Sequence, residues 1–176
     1  MNTPTKYPKS MIIIHWLTVI LLATEFIAGL TMEDYKFNAE NFNRYRFHAL
    51  LGVAIMIITI IRIIIKNKHK NNLPEAIKYY SPAHKIMVES VLKLIVLLLI
   101  VAPIVGFVMV YQTGALQYDL GGPFPEGAKF NETLELTHKI LVYLLGGLVF
   151  LHVAGVILYK IKTGENLIKR MCLLIK

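Results

Sequence analysis

The chain alternates long apolar runs with short polar connections. The runs at residues 11–30, 47–65, 88–110 and 141–158 each approach or exceed the ~20 residues a helix needs to cross a hydrocarbon core. They show no strict alternation of apolar and polar positions, so they read as helices, which satisfy their own backbone polar groups in lipid. Trp16, Tyr45, Tyr111 and Tyr159 fall near run ends, where interface anchors sit. The pattern predicts one all-α bundle of four transmembrane helices over about 11–30, 45–66, 85–110 and 137–160. The first run is too long for a signal-peptide core, contains His15 and Glu25, and lacks a small-x-small cleavage site. It is expected to be a retained first helix.

Composition sharpens this picture. Of 176 residues, 56% are apolar and 17% charged, against roughly 25% charged in soluble domains. The net charge is nevertheless +8. Divided by segment, the N-terminal tail carries +2, residues 62–87 carry +5 and the tail after Leu158 carries +4, whereas the first connection is neutral and residues 111–137 carry −3. The basic excess therefore lies on one side of a four-helix topology. It predicts both termini in the cytoplasm, and it gives no support for a nucleic-acid partner. A single cysteine, Cys172, excludes an internal disulfide framework, a Cys-ligated iron–sulfur cluster and a Cys-x-x-Cys-His haem attachment.

The connections are turn-like. Gly121, Gly122, Pro123 and Pro125 mark the last of them as a loop, with a helical turn expected near residues 131–136. The tail from 166 alternates apolar and basic residues and is expected along the headgroups.

Histidine placement carries the chemistry. His15 lies near the cytoplasmic end of the first run, and His48 and His138 open the second and fourth runs at the outer end. His152 follows His138 by fourteen residues, which on a helix leaves two side chains about 40° apart around the axis and ~21 Å apart along it. Pairs at two depths, His15 with His152 and His48 with His138, suit axial ligation of two b-type haems by facing helices. Zinc would want a third or fourth ligand at each depth, and few are offered. Arg62 follows His48 by fourteen residues and is a candidate propionate partner at inner depth, or a snorkelling cation. Gly146 and Gly147 fall midway between His138 and His152, where a ring edge or a helix can approach closely.

These residues resemble the bacterial cytochrome b561 family. The matching stretches are Ile14-His15-Trp16, Phe47-His48-Ala49-Leu50-Leu51-Gly52 running to Ile61-Arg62, Ala102-Pro103-Ile104-Val105-Gly106, Thr137-His138 and Leu151-His152. The resemblance implies a protein of the bacterial inner membrane with two haem b groups held by the same four histidines. Its nearest likeness, to superoxide oxidase members, implies electron transfer from superoxide at the outer haem to ubiquinone near the inner one. Where those members carry histidines on the third helix and after the last ligand, this chain has Glu89, Leu92, Tyr159 and Lys160. Tyr159 and Lys160 are candidate quinone contacts, and Arg44 and Arg46 beside His48 are candidates for steering the anionic donor.

The sequence thus predicts a di-haem b oxidoreductase of the lipid bilayer passing electrons from a periplasmic donor to ubiquinone. The alternatives are an electron-relay anchor for a hydrogenase- or dehydrogenase-type partner subunit, and a non-redox transporter or scaffold. Glu25 reads as a proton relay or a hydrogen bond to a neighbouring helix, Glu89 with Lys93 as an intrahelical pair, His69 and His84 as solvated groups, and Cys172 as a reduced thiol.

Overall fold

The computed structural model describes residues 5–173. Four helices long and apolar enough to span a membrane run over Lys9–Met32 (α1), Phe42–Lys68 (α2), Pro82–Gln112 (α3) and Glu132–Thr163 (α5). α2, α3 and α5 continue a turn or more past their apolar runs, and α1 two residues at each end. α3 begins at Pro82 because Ser81 caps it, accepting from the His84 backbone N–H at 3.1 Å, with proline at the first helical position. His84 is therefore helical. α5 begins behind Asn131, whose Oδ1 accepts from the Thr133 and Leu134 N–H groups, and ends on Gly164 at φ 73°, a left-handed C-cap. The turn expected near 131–136 is thus the first turn of α5. The loop before it carries its own short helix, α4 (Leu116–Asp119).

α1 packs on α2, α2 on α3 and α3 on α5, while α1 and α5 make few close backbone contacts. The core lies at mid-depth, where Ile55, Leu98, Leu99, Leu145 and Leu148 are buried with Leu21, Leu22 and Phe26 against them. Ile55 and Leu145 each follow a ligand-candidate histidine by seven residues, so this apolar layer separates the two histidine levels. Large side chains such as Ile20, Ile27, Leu50, Leu97 and Phe150 point outwards. In lipid, outward apolar groups need no partner, and close packing rather than water exclusion holds such helices together. Phe26 supplies one such contact: its ring lies 3.5 Å from where a Cβ on Gly146 would stand. Gly147 has open space instead. Thr18 and Thr59 return their hydroxyls to the carbonyls of Ile14 and Ile55, four residues back, at 2.8 Å.

The two ends are fastened differently. At the acidic end, Phe37, Phe42, Tyr45, Tyr118, Phe124 and Phe130 interlock with ring centroids 4.3–6.3 Å apart, tying the α1–α2 and α3–α5 connections together. At the basic end the described part of the C-terminal tail folds back as a 3-10 turn, Leu167–Met171; residues 174–176 of that tail lie outside the described residues. Arg170 donates to Glu165 Oε1 at 2.6 and 3.0 Å and to the Glu75 carbonyl at 2.6 Å. Its own carbonyl accepts from the Tyr7 N–H at 3.1 Å, and Trp16 Nε1 donates to the Met171 carbonyl at 2.7 Å. Cys172 is half-buried, and its carbonyl accepts from Lys6 at 3.2 Å. On α3, Glu89 pairs with Lys93 at 3.6 Å and with Lys85 at 3.9 Å.

Candidate haem-ligand sites

His48 and His138 face each other near the acidic end. They come from α2 and α5, with α1 and α3 flanking, and their ring centroids are 6.1 Å apart with planes crossing at 85°. An imidazole nitrogen bonds a first-row metal at ~2.0 Å, and a further ~1.1 Å to the ring centre would set two rings on opposite sides of one metal ~6 Å apart. The observed separation matches. Each ring plane is free to rotate about its metal–nitrogen bond, so the crossing angle is no obstacle.

The surrounding backbone positions both rings. The His138 Nδ1 lies 3.1 Å from the Ala102 carbonyl; an N–H donated there leaves Nε2 with its lone pair, the form a metal takes. Gly106, one turn beyond Ala102, makes this approach feasible, because a Cβ on it would meet His138 Cε1 at 3.2 Å. Likewise a Cβ on Gly29 of α1 would meet His48 Cε1 at 3.3 Å. The same edge of His48 faces Glu25, with Nδ1 3.1 Å from Oε1. That approach is within ion-pair distance but is not aligned as a hydrogen bond, and His48 Nδ1 is otherwise unpartnered.

The second pair lies near the basic end. His15 and His152 project from α1 and α5, the two helices whose backbones stay apart, and they lie within electrostatic range of one another and of Arg62. His15 Nδ1 is buried with no hydrogen-bond partner. The ring packs edge-on against Trp16 at 5.4 Å. Among the described residues, no group of three or more His, Cys, Asp or Glu side chains converges as a metal cluster would. The facing outer pair with glycines beneath its rings, and the inner pair with a spare His15 nitrogen on separated helices, fit metals whose other coordination positions a macrocycle fills.

The remaining candidates divide. Arg46 is engaged by Asp119 at 3.0 Å, and the Arg44 guanidinium lies over the Tyr35 ring, 3.9 Å from its centroid. Arg44 also lines a shallow groove with Thr24, Ala28, Thr31 and Phe47. Tyr159 is buried; its oxygen accepts from the Lys78 N–H and donates to Glu165 Oε2, each at 3.2 Å. It is therefore a structural bridge, whereas Lys160 is exposed. His84, which reads from sequence as a solvated group, sits in a ring cluster: the Tyr80 ring lies 5.0 Å away, and Lys162 Nζ stands over that Tyr80 ring, 5.6 Å from its centroid. His84 Nδ1 accepts from the Tyr80 N–H at 3.3 Å.

Against this geometry, the profile of the prokaryotic cytochrome b561 family matches residues 6–172, which include all four histidines and both halves of the basic-end clasp. A haem b membrane protein of electron transfer is what that family describes, and the facing imidazoles are where such a group fits. The chain belongs to the prokaryotic cytochrome b561 family.

Proposed function

We propose that the chain binds two haem b groups, one at each histidine level, and carries electrons from a donor at the acidic end to ubiquinone at the basic end. The donor favoured by resemblance is superoxide. The observation that carries the reading is the 6.1 Å separation of His48 and His138, together with the turned-away Nδ1 edges of both rings. His15 and His152 are the corresponding ligands at the other level, with Arg62 as the propionate partner.

When bound, b-type haem supplies one-electron chemistry at its iron. The chain's own residues set where that chemistry takes place. The histidine pairs hold two centres at levels ~21 Å apart along α5, and the apolar layer around Ile55, Leu99 and Leu145 keeps water out between them. Each superoxide gives up one electron and leaves as O2; two electrons and two protons convert ubiquinone to ubiquinol. Tyr80, His84 and Lys162, with exposed Lys160, offer the quinone headgroup aromatic faces and donors at the basic end. Both termini and this cluster are assigned to the cytoplasmic side by the charge distribution.

A redox difference spectrum of the purified chain tests the assignment. Two low-spin b-type components are expected, one lost in His48→Ala and the other in His15→Ala. A colourless protein, or a spectrum unaltered in the double variant, overturns it. Stopped-flow mixing with superoxide and quinone then tests the donor.

A second reading draws on the Arg46–Asp119 pair and the −3 charge of residues 111–137 at the outer end. A face whose cations are engaged suits docking of a protein donor, as an electron-relay subunit would require. Co-purification of a partner, with no reduction of quinone by superoxide in the isolated chain, supports that reading.

A further inference from the structure

Glu25 is a carboxylate placed among apolar side chains in the outer half of α1, with a side chain only 15% exposed. Ionisable groups at such depth are costly and mark function when they face the bundle interior. Its Oε2 is buried without a hydrogen-bond partner, and so is His48 Nδ1, which stands 3.1 Å from the neighbouring Oε1.

The backbone has been cleared for this meeting from both sides. α1 and α2 run antiparallel, so Glu25 is level with Gly52 and Gly29 is level with His48. A Cβ on Gly52 would stand 3.2 Å from Glu25 Oε1, and one on Gly29 would stand 3.3 Å from His48 Cε1. Each glycine lies four residues beyond the polar residue of its own helix and beneath the polar residue of the other. Helix packing alone would not require small residues at these two places in reciprocal register.

From this geometry we infer that Glu25 is a positioning residue for the outer haem: its Oε1, 3.1 Å from His48 Nδ1, is the acceptor to which the Nδ1–H turns when Nε2 holds the iron, and it makes His48 the more basic of that haem's two axial ligands. The inference rests on the two-level haem assignment. His138 differs in kind, because its Nδ1 meets the neutral Ala102 carbonyl at 3.1 Å. A carboxylate partner raises ligand basicity more than a carbonyl does and favours the higher oxidation state of the metal. The outer haem is therefore held at a lower potential than two carbonyl-paired histidines would give, and it passes its electron on more readily.

Potentiometric titration of the full chain in detergent, read at both haem components, tests this together with low-temperature EPR. Glu25→Gln is expected to raise the reduction equilibrium of the outer component by about tenfold, ~59 mV for one electron. It should also alter that component's low-spin EPR signal and leave the inner component in place. Glu25→Asp should recover part of the shift. Gly52→Ala keeps the carboxylate but pushes it off the ring, and it should move the outer component the same way by a smaller amount, which separates ligand orientation from simple removal of a nearby charge. Two haems whose potentials do not move in these variants, or move equally, overturn the role of Glu25 alone. A wild-type chain lacking the outer haem overturns the assignment beneath it as well.

Discussion

His138 reaches the carbonyl of Ala102 across 3.1 Å only because the residue one turn further along α3, Gly106, has no side chain. A Cβ there would stand 3.2 Å from Cε1 and 3.5 Å from Nδ1 of the ring. Those neighbours are a packed imidazole, with little freedom to give way. Gly106→Val is expected to cost ~1–3 kcal/mol of overpacking strain and to turn His138 out of place. Haem analysis would then show the outer component lost and the inner one kept. Equal loss of both would mean that the bundle, and not the ring, had been disturbed.

Phe26 and Gly146 meet between the two histidine levels, at a distance where a Cβ makes ordinary contact, 3.5 Å. Gly146→Ala should therefore be accepted with less than ~1 kcal/mol of change. Gly146→Leu should wedge α1 from α5 and weaken the inner pair, which spans those helices, more than the outer pair. Comparing the two absorbance components across this series checks the order.

Tyr159 bridges Lys78 and Glu165 through its hydroxyl. Removing it in Tyr159→Phe leaves two polar groups short of a partner and is expected to cost ~1–2 kcal/mol, visible as a lower melting temperature in detergent. Because that oxygen is already engaged, KM for quinone should hold. A raised KM with unchanged melting would return Tyr159 to the quinone site.

The Arg46–Asp119 pair predicts how the rate with superoxide responds to charge. Asp119→Asn frees the guanidinium and removes a repelling carboxylate. One unit charge ~10 Å from the path of an anion in water is worth ~0.4 kcal/mol, about a factor of two in rate at low salt. Arg46→Ala should slow the reaction by a similar factor, and both effects should fade above ~0.15 M salt. Rates that ignore both changes would favour a protein donor over the small anion.

The spans were legible because each is a helix by itself: run length and absence of alternation are local properties. The two histidine levels along α5 were legible because the fourteen-residue step from His138 to His152 fixes both depth and azimuth on one helix. What lay beyond reach depended on how helices sit against each other. Glu25 and His48 share a depth in the sequence, but nothing local says that α1 turns that carboxylate toward α2, so the sequence favours a neighbouring-helix contact over a proton relay only slightly. Arg46 reads from sequence as a candidate for steering an anion, and its pairing is hidden there because its partner, Asp119, comes from a one-turn helix inside a glycine- and proline-rich connection. The segment around Arg170 has the alternation of a headgroup-bound tail; its contacts with Glu165 and Glu75 join stretches of chain that only tertiary folding brings together. Tyr159 stood at a run end, as an anchor would, and became a bridge once that segment folded back over it.

The two fastenings of the bundle also differ in what loosens them. Rings such as Phe37, Phe42 and Phe124 hold the acidic end by contact, which dissolved ions hardly affect, while Arg170 holds the basic end through charge-assisted bonds that salt weakens. Ionic strength is thus an uneven lever on this molecule: at the acidic end it screens single pairs such as Arg46–Asp119 beside a ring cluster it hardly touches, whereas at the basic end it slackens the fastening itself, so the two ends need not share one salt optimum.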